Sequence, residues 1–232
     1  MLFRSARAIA DGLNDGDRVR VVAVDLDAIP LGGEGYYGAS SAELQQALSQ
    51  LEQRTPLGAT DIERVFGWVV NEFKSLDKSQ PRHVIYIGDG ICGPSMFGSS
   101  RFEKLVGDLQ RHQIPVSSFA IGPERNVELL SILANQTGGN IFLDSDTSGS
   151  ADVSAAELVN TVRGNVFWPT SADSQGALSD TYPRHLVPLR ADRDSILLGS
   201  TDTLKPFQMT VQGELNGQPF SQAWSVSPEA SD

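Results

Sequence analysis

His83-Val84-Ile85-Tyr86-Ile87-Gly88, followed by Asp89-Gly90, is the stretch whose reading decides the fold. The apolar run lacks a polar face, so it suits a strand buried on both sides, as in a parallel sheet covered by helices. The Asp-Gly pair is a turn signal. It puts Asp89 at the carboxyl end of a strand, the edge at which open α/β sheets bind ligands.

Upstream, Thr60-Asp61-Ile62-Glu63 reads as a capping box. Behind it Ile62, Val65, Phe66, Val69, Val70 and Phe73 recur at helical spacing, which predicts an amphipathic helix over 61–74. Ser40-Ser41-Ala42-Glu43 opens another helix over 41–53 in the same way. Arg18–Val24 is a Val-rich strand, 25–31 its hairpin partner or a short edge strand, and Gly32–Gly38 a glycine-rich loop. Phe3, Ala6, Ile9, Ala10 and Leu13 give residues 3–14 one apolar helical face. Downstream, Phe102, Leu105, Val106 and Leu109 mark a helix, Val116–Ile121 a strand and Val127–Leu133 part of a further helix. Gly138-Gly139 is a stop signal, Asn140–Leu143 a short strand, and Ser154-Ala155-Ala156-Glu157 caps a helix running to Val166.

Residues 1–168 therefore alternate helix and strand, the pattern of an open, doubly wound, mostly parallel α/β sheet with helices on both faces. Residues 169–181 are rich in Ser, Asp and Gly and read as a linker. Residues 182–232 show strands near 184–189, 194–199, 206–214 and 219–226, with Asn216-Gly217 as a hairpin turn. A small antiparallel β unit packed on the first domain is expected.

With 18 Lys and Arg against 29 Asp and Glu, the net charge is −11. Phosphate backbones and anionic membranes need clustered cations, so nucleic acid is not an expected partner. No apolar run approaches the roughly 20 residues that cross a bilayer, and Met1-Leu2-Phe3-Arg4 leads straight into a helix, so no signal peptide is expected. Cys92 is the single cysteine, which excludes an internal disulfide and a multi-cysteine zinc site.

Three motifs carry oxygen or glycine chemistry. Gly88-Asp89-Gly90-Ile91-Cys92-Gly93 fits G-x-G-x-x-G. However, Pro94 and a Ser/Met/Gly run follow where a helix must start, and Asp89 would repel a pyrophosphate. Asp146-Thr147-Ser148-Gly149-Ser150 fits D-x-S-x-S, a Mg²⁺-like set, but its composition reads better as a polar loop. Thr60 and Asp89 fall at the same sheet edge if the connections are right-handed. A hydroxyl plus a carboxylate suits Mg²⁺ or Ca²⁺, and a helix cap plus a turn accounts for the same two residues equally well.

In order, Asp17–Asp25, Gly58-Ala59-Thr60-Asp61-Ile62, Ile85–Gly90, Ile114–Gly122, and Asn126 to Leu130 with Ala134, Thr137, Gly138 and Gly139 resemble the von Willebrand factor type A (vWA) family over about residues 3–168. Gly88 stands where the family has Thr. The resemblance implies a protein-binding, adhesion-type module with a metal-ion-dependent adhesion site (MIDAS), whose Mg²⁺, Mn²⁺ or Ca²⁺ takes a partner's carboxylate. It carries over Thr60 and Asp89 as metal residues. The family's D-x-S-x-S has no counterpart where it belongs, and Asp146–Ser150 follows the last strand at the far edge. Metal affinity is therefore expected to be weak or nil. The family's first, central strand also lacks a counterpart. This leaves three outcomes: strands 18–24 and 83–88 pair directly, another chain donates a strand, or the chain is a fragment that folds poorly alone. The fragment reading, with direct pairing, is preferred. The trailing β segment resembles vWA proteins with β-sandwich modules, often bacterial cell-surface or secreted proteins.

An enzyme is not expected. His83, His112 and His185 lack ligand spacing, and Cys92 has no evident activating base. A metal-independent scaffold is the alternative, with a nucleotide-binding enzyme behind it.

Overall fold

The structure is a computed structural model and describes residues 2–55, 60–74, 76–77, 80–92, 99–143 and 150–229; side chains 99 and 150–155 are not described. Along the first part run α1 (Leu2–Asp11), β1 (Arg18–Val19), β2 (Val22–Val24), β3 (Ala28–Pro30), β4 (Tyr37–Gly38), α2 (Ala42–Glu52) and α3 (Ile62–Phe73). They are followed by β5 (Val84–Gly88), α4 (Ser99–Arg111), β6 (Val116–Ala120), α5 (Val127–Thr137), β7 (Ile141–Leu143) and α6 (Ser150–Arg163). The fold is the expected α/β type.

Its centre is a parallel sheet in the order β5-β6-β7. Alternate side chains of a strand serve opposite faces, and here both faces are covered. Val116 and Ala120 pack with Tyr86 beneath Phe66, Leu105, Leu109, Leu130 and Leu133 on one face. Phe119 packs with Ile9, Leu158 and Val159 on the other. All five residues of β6 are buried, Ser117 and Ser118 included, as befits the central strand of a sheet covered on both faces.

Three local expectations change, while the hairpin partner expected within 25–31 is found. The strand expected over 18–24 breaks at Arg20-Val21, where the Arg20 guanidinium pairs with Glu72 and stacks over Trp68. β2 pairs antiparallel with β3, as a hairpin. β2 and β5 do not pair, contrary to the expected closure, because β2 is held in a separate cluster by Ala23, Leu31, Tyr37, Leu44 and Leu48. Closing the gap would pull Ala23 out of that cluster. Finally, α6 begins at Ser150, so Ser154 lies inside the helix instead of capping it.

The last third is antiparallel: β8 (Val166–Asp173), β9 (Ser179–Tyr182), β10 (Leu189–Arg190), β11 (Leu198–Ser200), β12 (Phe207–Leu215) and β13 (Gln218–Val226). One sheet has the order β10-β8-β12-β13, and β9 and β11 form a separate ribbon. Residues 169–173, read as linker, are the second half of β8 and pair with β12 up to Asp173 opposite Thr210. Their polar composition reflects exposure of that end of the strand. The strands expected at 184–189 and 194–199 shrink to β10 and β11. Asn216 and Gly217 have φ of 52° and 71°, the two positive values that a tight β-hairpin turn requires.

Candidate functional site

The carboxyl edge of the sheet is assembled from three loops. Asp61, not Thr60, caps α3: its Oδ1 accepts the Arg64 N–H at 3.0 Å. This corrects the capping-box reading of Thr60 and Glu63. Thr60 instead forms a parallel bridge with Cys92, while the Asp61 N–H donates to the Asp25 carbonyl at 2.9 Å. One extended stretch thus lies between the ends of β2 and β5.

Asp89 makes the expected turn, its Oδ1 accepting the Ile91 N–H at 2.9 Å. Gly90 has φ +68°, and a Cβ there would sit 2.8 Å from Leu130, so the Asp-Gly pair is demanded by backbone geometry as well as packing. The Asp89 carbonyl accepts the Asn126 N–H at 2.8 Å, and Asn126 caps α5 through the Leu129 N–H. The turn and the helix cap hold each other.

Tyr86 is the residue that sequence reasoning missed. Its ring leans along β5 over Gly88, where an added Cβ would meet the phenol oxygen at 2.7 Å. The hydroxyl therefore reaches the edge, close to the Thr60 side chain and the Gly90 backbone. Burial first, and Asp89 second, push the phenol up to about 12. It remains a neutral hydroxyl standing where the family pattern has a Thr hydroxyl. The signal in the sequence was a tyrosine two residues before the unexpected glycine. Burial, then Asp89 and Asp61, push the half-buried Cys92 thiol up to about 11. It stays protonated at neutral pH and is a poor nucleophile.

Thr60, in the stretch bridged to Cys92, and Asp89, in its own turn, thus lie at the same edge. Both are hard-oxygen donors, and Asp89 Oδ2 accepts no hydrogen bond from a described residue. They would supply only two of the six or so oxygens a Mg²⁺ ion takes. Among the described residues no group of three or more His, Cys, Asp and Glu could hold a metal. The residues fit a cation in part. Asp146–Gly149 lie outside the described residues, as do Gly58 and Ala59.

The opposite edge is where the β unit docks. The Arg190 side chain is fully buried and forks onto both oxygens of Asp192 at 2.7 Å. It also donates to the carbonyls of Gly138 at 3.1 Å and Thr161 at 2.8 Å. Arg193 donates to the carbonyls of Asn135, Gly139 and Pro188. Two guanidiniums from the β unit thus cover the carboxyl end of α5, whose last carbonyls have no partner within the helix. His83 lies beside them, its Nε2 2.7 Å from Ser117 Oγ. Although the residue as a whole is only half-buried, desolvation and then Arg190 push the imidazole down to about 3, against a smaller pull from Asp192.

These features define a vWA-type α/β domain with an appended β unit. A sequence profile of the von Willebrand factor type A domain family matches residues 6–142. The chain belongs to that family. A search of curated protein sequences finds no match. Solved structures share the fold. A von Willebrand factor type A protein from Catenulispora acidiphila superimposes with TM-score 0.62 at 14% identity, over 97% of this chain and 61% of that one. The ArnB paralog VWA2 from Sulfolobus acidocaldarius gives 0.57 at 16% identity, over 96% and 58%. The manganese-loaded TRAP protein of Plasmodium vivax gives 0.51 at 9% identity, over 97% and 84%. This chain therefore spans about three-fifths of the length of the first two. No helix among the described residues is long and apolar enough to cross a membrane.

Proposed function

We propose that this chain is a protein-binding, adhesion-type module that keeps a remnant MIDAS-like site at Thr60 and Asp89. The reading rests on one observation: the stretch carrying Thr60, bridged to Cys92, and the turn of Asp89 come together at the carboxyl edge. A manganese-loaded relative of the same fold supports it. In this reading Asp89 supplies charge and orients water, Thr60 contacts the ion directly or through water, and a partner's carboxylate fills an open position. With so few protein oxygens the affinity for Mg²⁺, Mn²⁺ or Ca²⁺ is low. No catalytic role is proposed, since the Cys92 thiol is held protonated.

A metal-independent scaffold is the second reading, favoured by the backbone bridge that already ties Thr60 to Cys92. Titrating Mg²⁺ and Mn²⁺ against the thermal midpoint separates the two. A ligand that binds only the native state raises the midpoint. A rise in the parent chain that is lost in Asp89→Ala is expected. A flat response in a chain that still melts cooperatively would leave the scaffold.

A further inference from the structure

Helix α5 runs from one edge of the sheet to the other, and each of its ends is wedged against a different unit. Its 11 residues span about 16 Å. At the amino end the Asn126 N–H donates to the Asp89 carbonyl at 2.8 Å, and the Asn126 side chain accepts the Leu129 N–H at 3.1 Å. A Cβ on Gly90 would lie 2.8 to 3.1 Å from three carbons of the Leu130 side chain. The Asp89-Gly90 turn therefore sits against the first turn of α5 with no slack between them.

The carboxyl end is as tight, and it meets the β unit. A Cβ on Gly138, the left-handed cap of α5, would lie 2.6 Å from Val166 Cγ1 and 2.9 Å from Pro188 Cβ. Val166 begins β8, and Pro188 directly precedes β10. Arg190 donates to the Gly138 carbonyl at 3.1 Å. Arg193 donates to the carbonyls of Asn135 at 3.1 Å and Gly139 at 2.5 Å.

Between these ends Leu130, Leu133, Ala134 and Thr137 are buried. Polar ties from the α/β body also reach the carboxyl half: Thr137 Oγ1 accepts the Val116 N–H, and the Gln136 carbonyl accepts the Gln110 side-chain amide. The amino half is tied to the Asp89 turn. A hydrogen-bonded helix is stiff along its axis, and a close-packed interior passes a displacement on instead of absorbing it.

We propose that α5 is a coupling rod: docking of the β unit on its carboxyl end sets the Asp89 turn at its amino end. The carboxyl edge then keeps its binding geometry only while the β unit is seated. Linkage makes the effect reciprocal, so a partner bound at the Asp89 turn tightens the seat of the β unit. The inference rests on the proposed binding edge for its functional meaning, and on the contacts of α5 alone for the coupling.

The experiment is amide hydrogen exchange on the whole chain in EDTA, for the parent, Arg193→Met, Asn126→Ala and Leu158→Ala. Arg193→Met strips donors from the carboxyl end of α5. Exchange at Asn126 and Leu129 then rises about fivefold or more relative to the amides of β6, through local opening. Asn126→Ala removes the cap at the other end, and exchange in β10 rises relative to β6 by about the same factor. Leu158→Ala empties a buried position beside Ile9 and Phe119 on the other face of the sheet, and favours neither end of α5. If Arg193→Met frees β10 while Asn126 and Leu129 keep the parent's rates, the rod does not transmit and the proposal is overturned. A Leu158→Ala pattern matching that of Arg193→Met overturns it too, since general loosening then explains both. Where Arg193→Met does not fold, Asn126→Ala decides alone, and parent-like exchange in β10 overturns the proposal. With metal chelated throughout, unchanged exchange counts only against the coupling, and a flat Mg²⁺ titration of the thermal midpoint counts only against the metal reading.

Discussion

The two ends of the parallel sheet are built in opposite ways. At the amino-terminal edge the contacts are long-range: Arg190 and Arg193 come from the β unit and reach the carbonyls that end α5 and α6. Thr137 adds a local link, donating to Leu133 C=O and accepting the Val116 N–H. At the carboxyl edge backbone bonds tie the loops together, Asp61 N–H to Asp25 C=O and Asn126 N–H to Asp89 C=O, while the carboxylates close local turns. Asp61 caps its own helix and Asp89 closes its own turn. An edge whose carbonyls are covered from a distant segment serves stability. An edge whose oxygens are held in place by local turns keeps them available to a partner, which is where loops on a rigid scaffold usually bind.

The largest effect should come from Gly139→Ala, which attacks the amino-terminal edge at its tightest point. A Cβ there would lie 1.9 Å from Val116 O and 2.7 Å from Ser117 N, both backbone atoms of β6 itself. The strand cannot move aside without breaking two ladders. We expect a loss on the order of 4 kcal/mol in urea unfolding; a loss below about 1 kcal/mol would mean that the edge is looser than its geometry. Next is Arg190→Met. It keeps the apolar stem but leaves the Gly138 and Thr161 carbonyls without their donor and Asp192 without its guanidinium. The expected cost is about 3 kcal/mol, with faster exchange in β10 than in β5. Equal loosening of β5 would show that the β unit and the α/β body are one cooperative piece, and the contrast between edges would blur.

The sequence made one edge far more legible than the other. Gly138 was read as a stop signal, and it adopts φ +81° as the left-handed cap of α5. Asn216-Gly217 was equally plain, because a tight hairpin turn is dictated by neighbours in the chain. Thr60 and Asp89 were picked out by residue type, yet the cap fell to Asp61 because Thr60 is drawn into a bridge with Cys92. The Arg190 and Arg193 contacts were invisible, since nothing in their neighbourhood says that they will find helix carbonyls some fifty residues upstream. The break at Arg20 was hidden for the same reason: Glu72 and Trp68 lie on a distant helix. The open edges of β2 and β5 came from a packing competition, in which the cluster around Leu44 and Tyr37 keeps β2 apart.

The smallest effect follows from His83 and is a matter of sign. In the unfolded chain its pKa is about 6.5; in the fold, desolvation and the neighbouring Arg190 push it down to about 3. Between those values the unfolded state binds the extra proton, so stability rises with pH and is lost as pH falls. The contribution is complete above pH 6.5 and fades towards pH 3. A single group limits the slope to about 1.4 kcal/mol per pH unit. The Asp192 carboxyl is held low, mainly by its hydrogen bond from Arg190, so its own loss comes below the ordinary carboxylate range. Urea midpoints between pH 7 and about 4.5 therefore isolate the histidine. His83→Gln can keep a hydrogen bond to Ser117 without a titrating ring, and its profile should be flatter than that of the parent. Parallel profiles would take His83 out of the account.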